Sequence, residues 1–240
     1  MALKISLNYS PNFSIKRRII KNIKFIVIHY TGMYSEKKAI QKLTNNKSKV
    51  SCHYFIKKNG KVILMVPELY AAWHAGVSNW KNLKSLNKYS IGIEVHNKGH
   101  EHGYHKFNKA QINSIISLCK KLIKKYKIQS RNILAHSDIS YNRKKDPGEK
   151  FPWELLSKNN IGNWHNFDKN ILKKSRKVKI SSAEKKKIIK SLKKIGYLIK
   201  KNNFEFKQLI KNFQRRYRPE LIDGKLDKES LIIAKKISQL

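Results

Sequence analysis

Three side chains able to bind a divalent metal come from two separate stretches of the chain: His29 from one, and His136 and Asp146, ten residues apart, from the other. Two imidazoles and a carboxylate make a suitable set for a hydrolytic zinc ion, which keeps a fourth position for water. Zinc lowers the pKa of its water towards neutrality and polarises a carbonyl. Such chemistry also needs a base and a partner for the oxyanion. Glu94 sits inside the apolar run Ile91-Gly92-Ile93-Glu94-Val95 and is a candidate base, since a carboxylate is costly to bury there without a role or a partner. Lys144, just before Asp146, can bring an ammonium to a developing oxyanion. Read by spacing alone, each residue has a plainer alternative. His29 could be a hydrogen-bonded core histidine, Glu94 half of a salt bridge, and Lys144 a solvated lysine in a very basic chain.

The elements that must position these groups follow from pattern. Lys24–Tyr30 (KFIVIHY) reads as a buried strand ending on His29. Ser35 suits an N-cap, with a helix through about Thr44. Val50–Ile56 and Val62–Val66 read as strands joined through Lys58-Asn59-Gly60-Lys61, a hairpin signal. Ala71–Gly76 (AAWHAG) is loop-like, and Tyr89–His96 is a further strand carrying Glu94. Ile112, Ile115, Ile116, Cys119, Leu122, Ile123 and Tyr126 repeat at helical spacing, predicting a helix over about 109–126 with Cys119 in the core. Asn132–Ala135 is an extended entry to the segment 134–153, where Asp146-Pro147-Gly148 forbids helix and predicts a rigid loop. Residues 1–22 read as an irregular lead-in. Mixed strands and helices with one hairpin imply an α/β fold, a mixed β-sheet flanked by helices.

Beyond Leu156 the character changes. Residues 166–180 read as a lysine-rich linker after a first domain of 1–165, and 181–240 as a small three-helix C-terminal domain. Ile188, Ile189, Leu192 and Ile195 mark the first of its helices, with Gly196 as C-cap. The second runs through Phe206–Tyr217, and the last covers about 228–237.

The 240 residues carry 54 Lys+Arg against 15 Asp+Glu, a formal net charge of +39. The excess is mostly lysine, spread through every segment, so it reads first as a diffuse background and second as a polyanion footprint. Two cysteines in no CxxC pattern imply no disulfide framework. The N-terminal stretch shows no continuous apolar signal region, and no run is long enough to span a membrane. A cytoplasmic protein is the default expectation. His96, His100, His102 and His105 form a competing cluster, but the glycines and charges around them suggest a solvated loop. His53 reads as structural.

At these residues the sequence resembles the zinc-dependent N-acetylmuramoyl-L-alanine amidases of the amidase-2 type. The matching segments are FIVIHYTG (25–32), VSCHYFIKKNGKV (50–62), AAWHAG (71–76), SIGIEVHN (90–97) and LAHSDIS with RKKDPGEKFPW (134–153), in family order. The resemblance implies one Zn2+ per chain on His29, His136 and Asp146, with Glu94 as the catalytic glutamate and Lys144 assisting at the transition state. It implies a peptidoglycan or muropeptide substrate, with His74, Trp73 and Asn97 as substrate-binding residues. Some relatives carry a tyrosine where Cys52 stands, and its absence favours the glutamate-dependent subgroup. Arg143 and Lys145 are left as surface charge.

The C-terminal unit resembles the three-helix peptidoglycan-binding domain of cell-wall hydrolases, through Phe213, Gln214, Arg215, Arg216, Asp223 and Gly224. By that analogy a periplasmic or cell-envelope location stands beside the cytoplasmic default. A monomer is expected, and nucleic acid is not the expected partner. The alternative function is a non-catalytic peptidoglycan-binding protein on the same fold, which predicts loss of a ligand or of Glu94.

Overall fold

The computed structural model describes residues 3–200 and 202–240. Its strands are β1 (Ile5–Leu7), β2 (Phe13–Ser14), β3 (Phe25–Tyr30), β4 (Tyr54–Ile56), β5 (Val62–Leu64), β6 (Ala71–Ala72), β7 (Asn79–Trp80), β8 (Leu83–Lys84), β9 (Ser90–Val95) and β10 (Ile133–Ala135). Its helices are α1 (Glu36–Thr44), α2 (Lys109–Tyr126), α3 (His136–Ile139), α4 (Trp153–Ser157), α5 (Lys169–Arg176), α6 (Ser182–Ile195), α7 (Asn203–Tyr217) and α8 (Lys228–Ile237).

Six strands form the main sheet in the order β1-β5-β4-β9-β3-β10. Only β4 and β5 pair antiparallel within it, through the expected hairpin, where Gly60 holds φ +81°. The strands β9, β3 and β10 run parallel side by side. The expected mixed sheet with flanking helices is therefore present. β3 is apolar on both faces because helices and loops cover both, as a central parallel strand requires. In β9 the faces differ: Ile91, Ile93 and Val95 point one way, and Ser90, Gly92 and Glu94 the other.

α2 begins where the pattern places it. Asn108 caps Gln111 N, and the Gln111 side chain returns to Asn108 N. Gln111 Nε2 also donates to His96 O at 2.7 Å, which ties the helix start to the end of β9. Ile112, Ile115, Leu118, Cys119 and Leu122 are buried against the sheet, each apolar side chain contributing about 1.5–3 kcal/mol over exposure. A second, smaller core of Ala39, Leu43, Cys52, Phe55, Ile63 and Met65 lies under α1, which gives Cys52 a packing role.

Three elements depart from the sequence expectation. The lead-in contains β1, which pairs parallel with β5 as the sheet edge. His136 opens the one-turn helix α3 rather than standing in a loop. Residues 166–180 contain α5, capped by Asp168 and held down by buried Leu172, and α5 packs on α8. One continuous hydrophobic cluster runs from Ile23 through the sheet to Ile237 in α8. Trp80 meets Tyr197 edge-on at 4.8 Å, and Arg216 reaches back to Ile133 O at 2.8 Å and to Asp138. Among the described residues no helix is long and apolar enough to cross a membrane.

Candidate active site

Parallel strands direct their C-terminal ends to one edge of the sheet, where ligands of open α/β sheets commonly sit. His29 is the penultimate residue of β3, in register with Glu94 on β9. Ala135 of β10 pairs with Ile28, so His136 emerges beside His29. The polypeptide then turns back, and Ser137 N donates to Asp146 O at 3.0 Å, fixing Asp146 against the same edge. Stretches distant in sequence thus converge, His29, Glu94 and His136 by strand register and Asp146 by that hydrogen bond.

His29 Nδ1 lies 2.9 Å from His136 Nδ1 and 3.1 Å from Asp146 Oδ2, and His136 Nδ1 lies 2.9 Å from Asp146 Oδ2. All three residues are buried, and they are the one His/Cys/Asp/Glu group among the described residues placed to hold a metal. His136 Nε2 faces Ala75 O at 3.2 Å and donates to it, so its Nδ1 is a lone pair. The edges of the triangle approach the ~3.3 Å ligand–ligand separation of a tetrahedral site with ~2.0–2.1 Å bonds. Lone pairs facing one another at such distances fit a bound cation.

Electrostatics agree with that arrangement. Burial and neighbouring His136 lower His29 to about 4, against the opposing pull of Asp146. Burial alone would raise Asp146, but His136 and His29 outweigh it and hold its carboxyl well below the usual range. Both groups are therefore in ligand form at neutral pH. Glu94 behaves oppositely: burial, then the charge of Asp146, raises it to about 8, against Lys144 and Lys42. Its Oε2 is buried and meets no donor among the described residues.

The triad and Glu94 line a groove of about 430 Å³ together with Trp73, Lys144 and Lys42. Trp73 is half-exposed on its wall, with Nε1 donating to Ser14 Oγ at 3.3 Å. Lys144 is half-buried on the same wall.

One expected site residue is placed differently. Asn97 is fully buried and does not line the groove. Its Nδ2 donates to His105 O at 2.8 Å and its Oδ1 accepts from Gly99 N at 3.0 Å, so its amide is committed inside the loop. His74, by contrast, lines the groove, buried beside His29 with His29 Nε2 and Ser90 Oγ on its two nitrogens. The histidines of 96–105 do not converge. His96 meets Thr31 Oγ1 at 3.3 Å, while His100 bridges Tyr30 Oη and Glu149. His53 is structural as expected, since its Nδ1 accepts from Gly92 N at 2.9 Å.

Arg143 was missed by sequence reasoning. Its guanidinium binds Ala75 O at 2.5 Å, Val77 O at 2.9 Å and Ser140 Oγ at 3.1 Å, stapling the metal-ligand segment to the AAWHAG loop. Nothing in a chain with 54 basic residues distinguishes it from Lys145. In the C-terminal unit, Gln214 and Arg216 are buried. Gln214 holds Asp223 and Gly224 N, and Arg216 binds Asp138, so these motif residues are used internally.

A family model described as N-acetylmuramoyl-L-alanine amidase matches residues 20–149. The chain is 34% identical over 226 residues to the N-acetylmuramoyl-L-alanine amidase AmiD of Escherichia coli, covering 88% of this chain and 81% of that protein. It is 33% identical over 163 residues to the 1,6-anhydro-N-acetylmuramyl-L-alanine amidase AmpD of Haemophilus influenzae, covering 60% of this chain and 86% of that protein. Among solved structures, E. coli AmiD with the substrate anhydro-N-acetylmuramic acid-L-Ala-D-gamma-Glu-L-Lys matches with a TM-score of 0.79 at 32% identity, covering 94% of this chain and 91% of that chain. AmpDh3 of Pseudomonas aeruginosa, in complex with anhydromuramic pentapeptide, matches with a TM-score of 0.79 at 28% identity, covering 94% of each chain.

Proposed function

The chain belongs to the N-acetylmuramoyl-L-alanine amidase family, and we propose that it uses one zinc ion to cleave the amide between N-acetylmuramic acid, or its anhydro form, and L-alanine of a stem peptide. The AmiD complex with an anhydromuramyl peptide supports this substrate class. His29 and His136 would hold the metal through Nδ1 and Asp146 through Oδ2. Zinc, when bound, supplies a Lewis acid that polarises a carbonyl and acidifies water.

The chain's own residues account for the proton traffic. The attacking water's oxygen bonds to the carbonyl carbon, and Glu94 accepts the proton released. As the C–N bond breaks, Glu94 delivers that proton to the leaving nitrogen, giving a lactyl carboxylic acid and a free L-alanyl amine; the acid's proton then passes to the amine, leaving carboxylate and ammonium at neutral pH. Burial raises the affinity of the Glu94 carboxylate for a proton, so that once it has taken the water's proton it can hold it for the leaving nitrogen. Lys144 lines the groove beside Asp146 and supplies positive charge to the oxyanion. Trp73 offers an apolar wall to the sugar or peptide.

The observation that carries this reading is the convergence of two imidazole Nδ1 atoms and a carboxylate oxygen within 3.1 Å of one another, with Glu94 on the adjacent strand. A purely binding protein on this fold has no need to retain all of these. Digestion of an anhydromuramyl peptide, with and without chelator, tests it on wild type, His136→Ala and Glu94→Ala. Cleavage at the lactyl–alanine bond that chelator and both substitutions abolish is expected. Full cleavage by zinc-free protein, or by the Glu94 variant, would overturn it.

A further inference from the structure

We propose that the AAWHAG loop orients both imidazole ligands of the site, with His74 and Ser90 as positioning residues that fix the ring and tautomer of His29. This rests on the metal-binding reading above and concerns residues behind the triad.

The proton positions follow from donors and acceptors. The Ser90 hydroxyl has one proton, and it goes to Leu86 O at 2.6 Å. Ser90 Oγ can then only accept from His74 Nε2, 3.2 Å away. His74 Nδ1 is left as a lone pair and accepts from His29 Nε2 at 3.0 Å, the two rings meeting edge-on at 83°. That places the single proton of neutral His29 on Nε2 and turns its Nδ1 lone pair towards His136 and Asp146. The next residue in the loop does the same for the other histidine, because Ala75 O accepts from His136 Nε2 at 3.2 Å. Asn87 Oδ1 holds this pair of residues in place, accepting from His74 N at 3.1 Å and Ala75 N at 2.7 Å. Hydrogen bonds to the far nitrogen of a ligand histidine set its orientation and basicity.

Independent support comes from Gly92. A Cβ there would lie 2.3 Å from His74 Cγ, and no positive φ asks for glycine at that position. The glycine makes room for the His74 ring, as a glycine inside a strand often does for a close neighbour. The face of β9 is then accounted for in full: Ser90 bonds His74, Gly92 admits its ring, and Glu94 reaches the groove.

The test measures zinc affinity of the full chain by competition with a chromogenic chelator, alongside kcat and KM. His74→Leu should weaken zinc about 10–100-fold, the usual cost of removing such a partner. Ser90→Ala should weaken it less. His74→Asn, whose amide can accept from His29 and donate to Ser90, should recover most of the loss. Zinc affinity unchanged in His74→Leu with a raised KM would overturn the proposal and make His74 a substrate contact. Long-range 1H–15N correlation spectra of metal-free wild type give a second reading that no variant's folding can confuse. They should show His29 protonated on Nε2, and a proton on Nδ1 would overturn the relay. If wild type binds no zinc, the metal reading fails, while these spectra still decide the relay.

Discussion

Two regions bury ionisable groups, and they do so in opposite ways. In the C-terminal unit, Arg218 contacts Asp227 at 2.5 Å, Glu229 at 3.0 Å and Asp223 at 3.2 Å, while Arg176 binds Glu229 at 2.7 Å and Glu220 at 2.8 Å. Each charge has an opposite charge in contact. At the sheet edge, two imidazole nitrogens and a carboxylate oxygen face one another at 2.9–3.1 Å, and Glu94 Oε2 has no donor among the described residues. A closed network holds helices together. An unbalanced one is suited to a cation and a mobile proton. Burial alone does not separate structure from function; the hydrogen-bond account does.

Substitutions in the two regions should therefore separate cleanly. Glu94→Gln keeps the shape of the side chain but removes the base, and should lower kcat about 10²–10⁴-fold, the usual contribution of general acid–base catalysis, with the melting temperature no lower than wild type. Glu229→Ala removes one partner each from Arg176 and Arg218, leaving Glu220 to the first and Asp227 and Asp223 to the second, and should cost about 1.5–3 kcal/mol in denaturant unfolding, as losing a charged hydrogen bond does. Its turnover per folded molecule should stay at the wild-type level. A Glu229 variant that kept its stability but lost turnover would break the comparison.

A pH series sharpens it. Glu94 ionises near 4.5 when unfolded and near 8 when folded, so between these values the folded chain retains a proton that the unfolded chain has released. Its contribution to stability falls as pH rises across that window and levels off above it. In metal-free protein, Glu94→Gln should remove that part of the decline, measured as the difference in unfolding free energy between the two proteins at each pH. The smallest effect belongs to neither region. Glu154→Ala loses the exposed pairs with Lys158 and Lys169 and should change stability by about 1 kcal/mol or less.

Much of this was legible in the sequence, for physical reasons. β3 is a continuous apolar run, broken only by His29 near its end, and α2 carries a long helical stripe, so their bounds read closely. The Asn59-Gly60 turn announced the β4–β5 hairpin. The β1 edge strand was not legible because three residues, mostly exposed, show no alternation. α5 was hidden because one buried leucine is its only apolar anchor in a lysine-rich stretch. His29, His136, Asp146, Glu94 and Lys144 stand out in the sequence by residue type and motif, and the structure brings all five to one groove. The backing was not legible. Arg143 looks like any basic residue, Gly92 like any glycine in a strand, and Asn97 like a groove residue until its amide is followed into the 97–105 loop. Those roles depend on contacts between distant segments, which no local pattern encodes.

The most direct test of the central claim is the rate of L-alanyl peptide release from an anhydromuramyl peptide, followed as zinc is added back to chelator-stripped protein. The account predicts no release without zinc, a rise that saturates at one equivalent per chain, and a strongly reduced rate at every zinc level in Glu94→Gln. Full release before any zinc is added, or the same titration curve in the Glu94 variant, would contradict it.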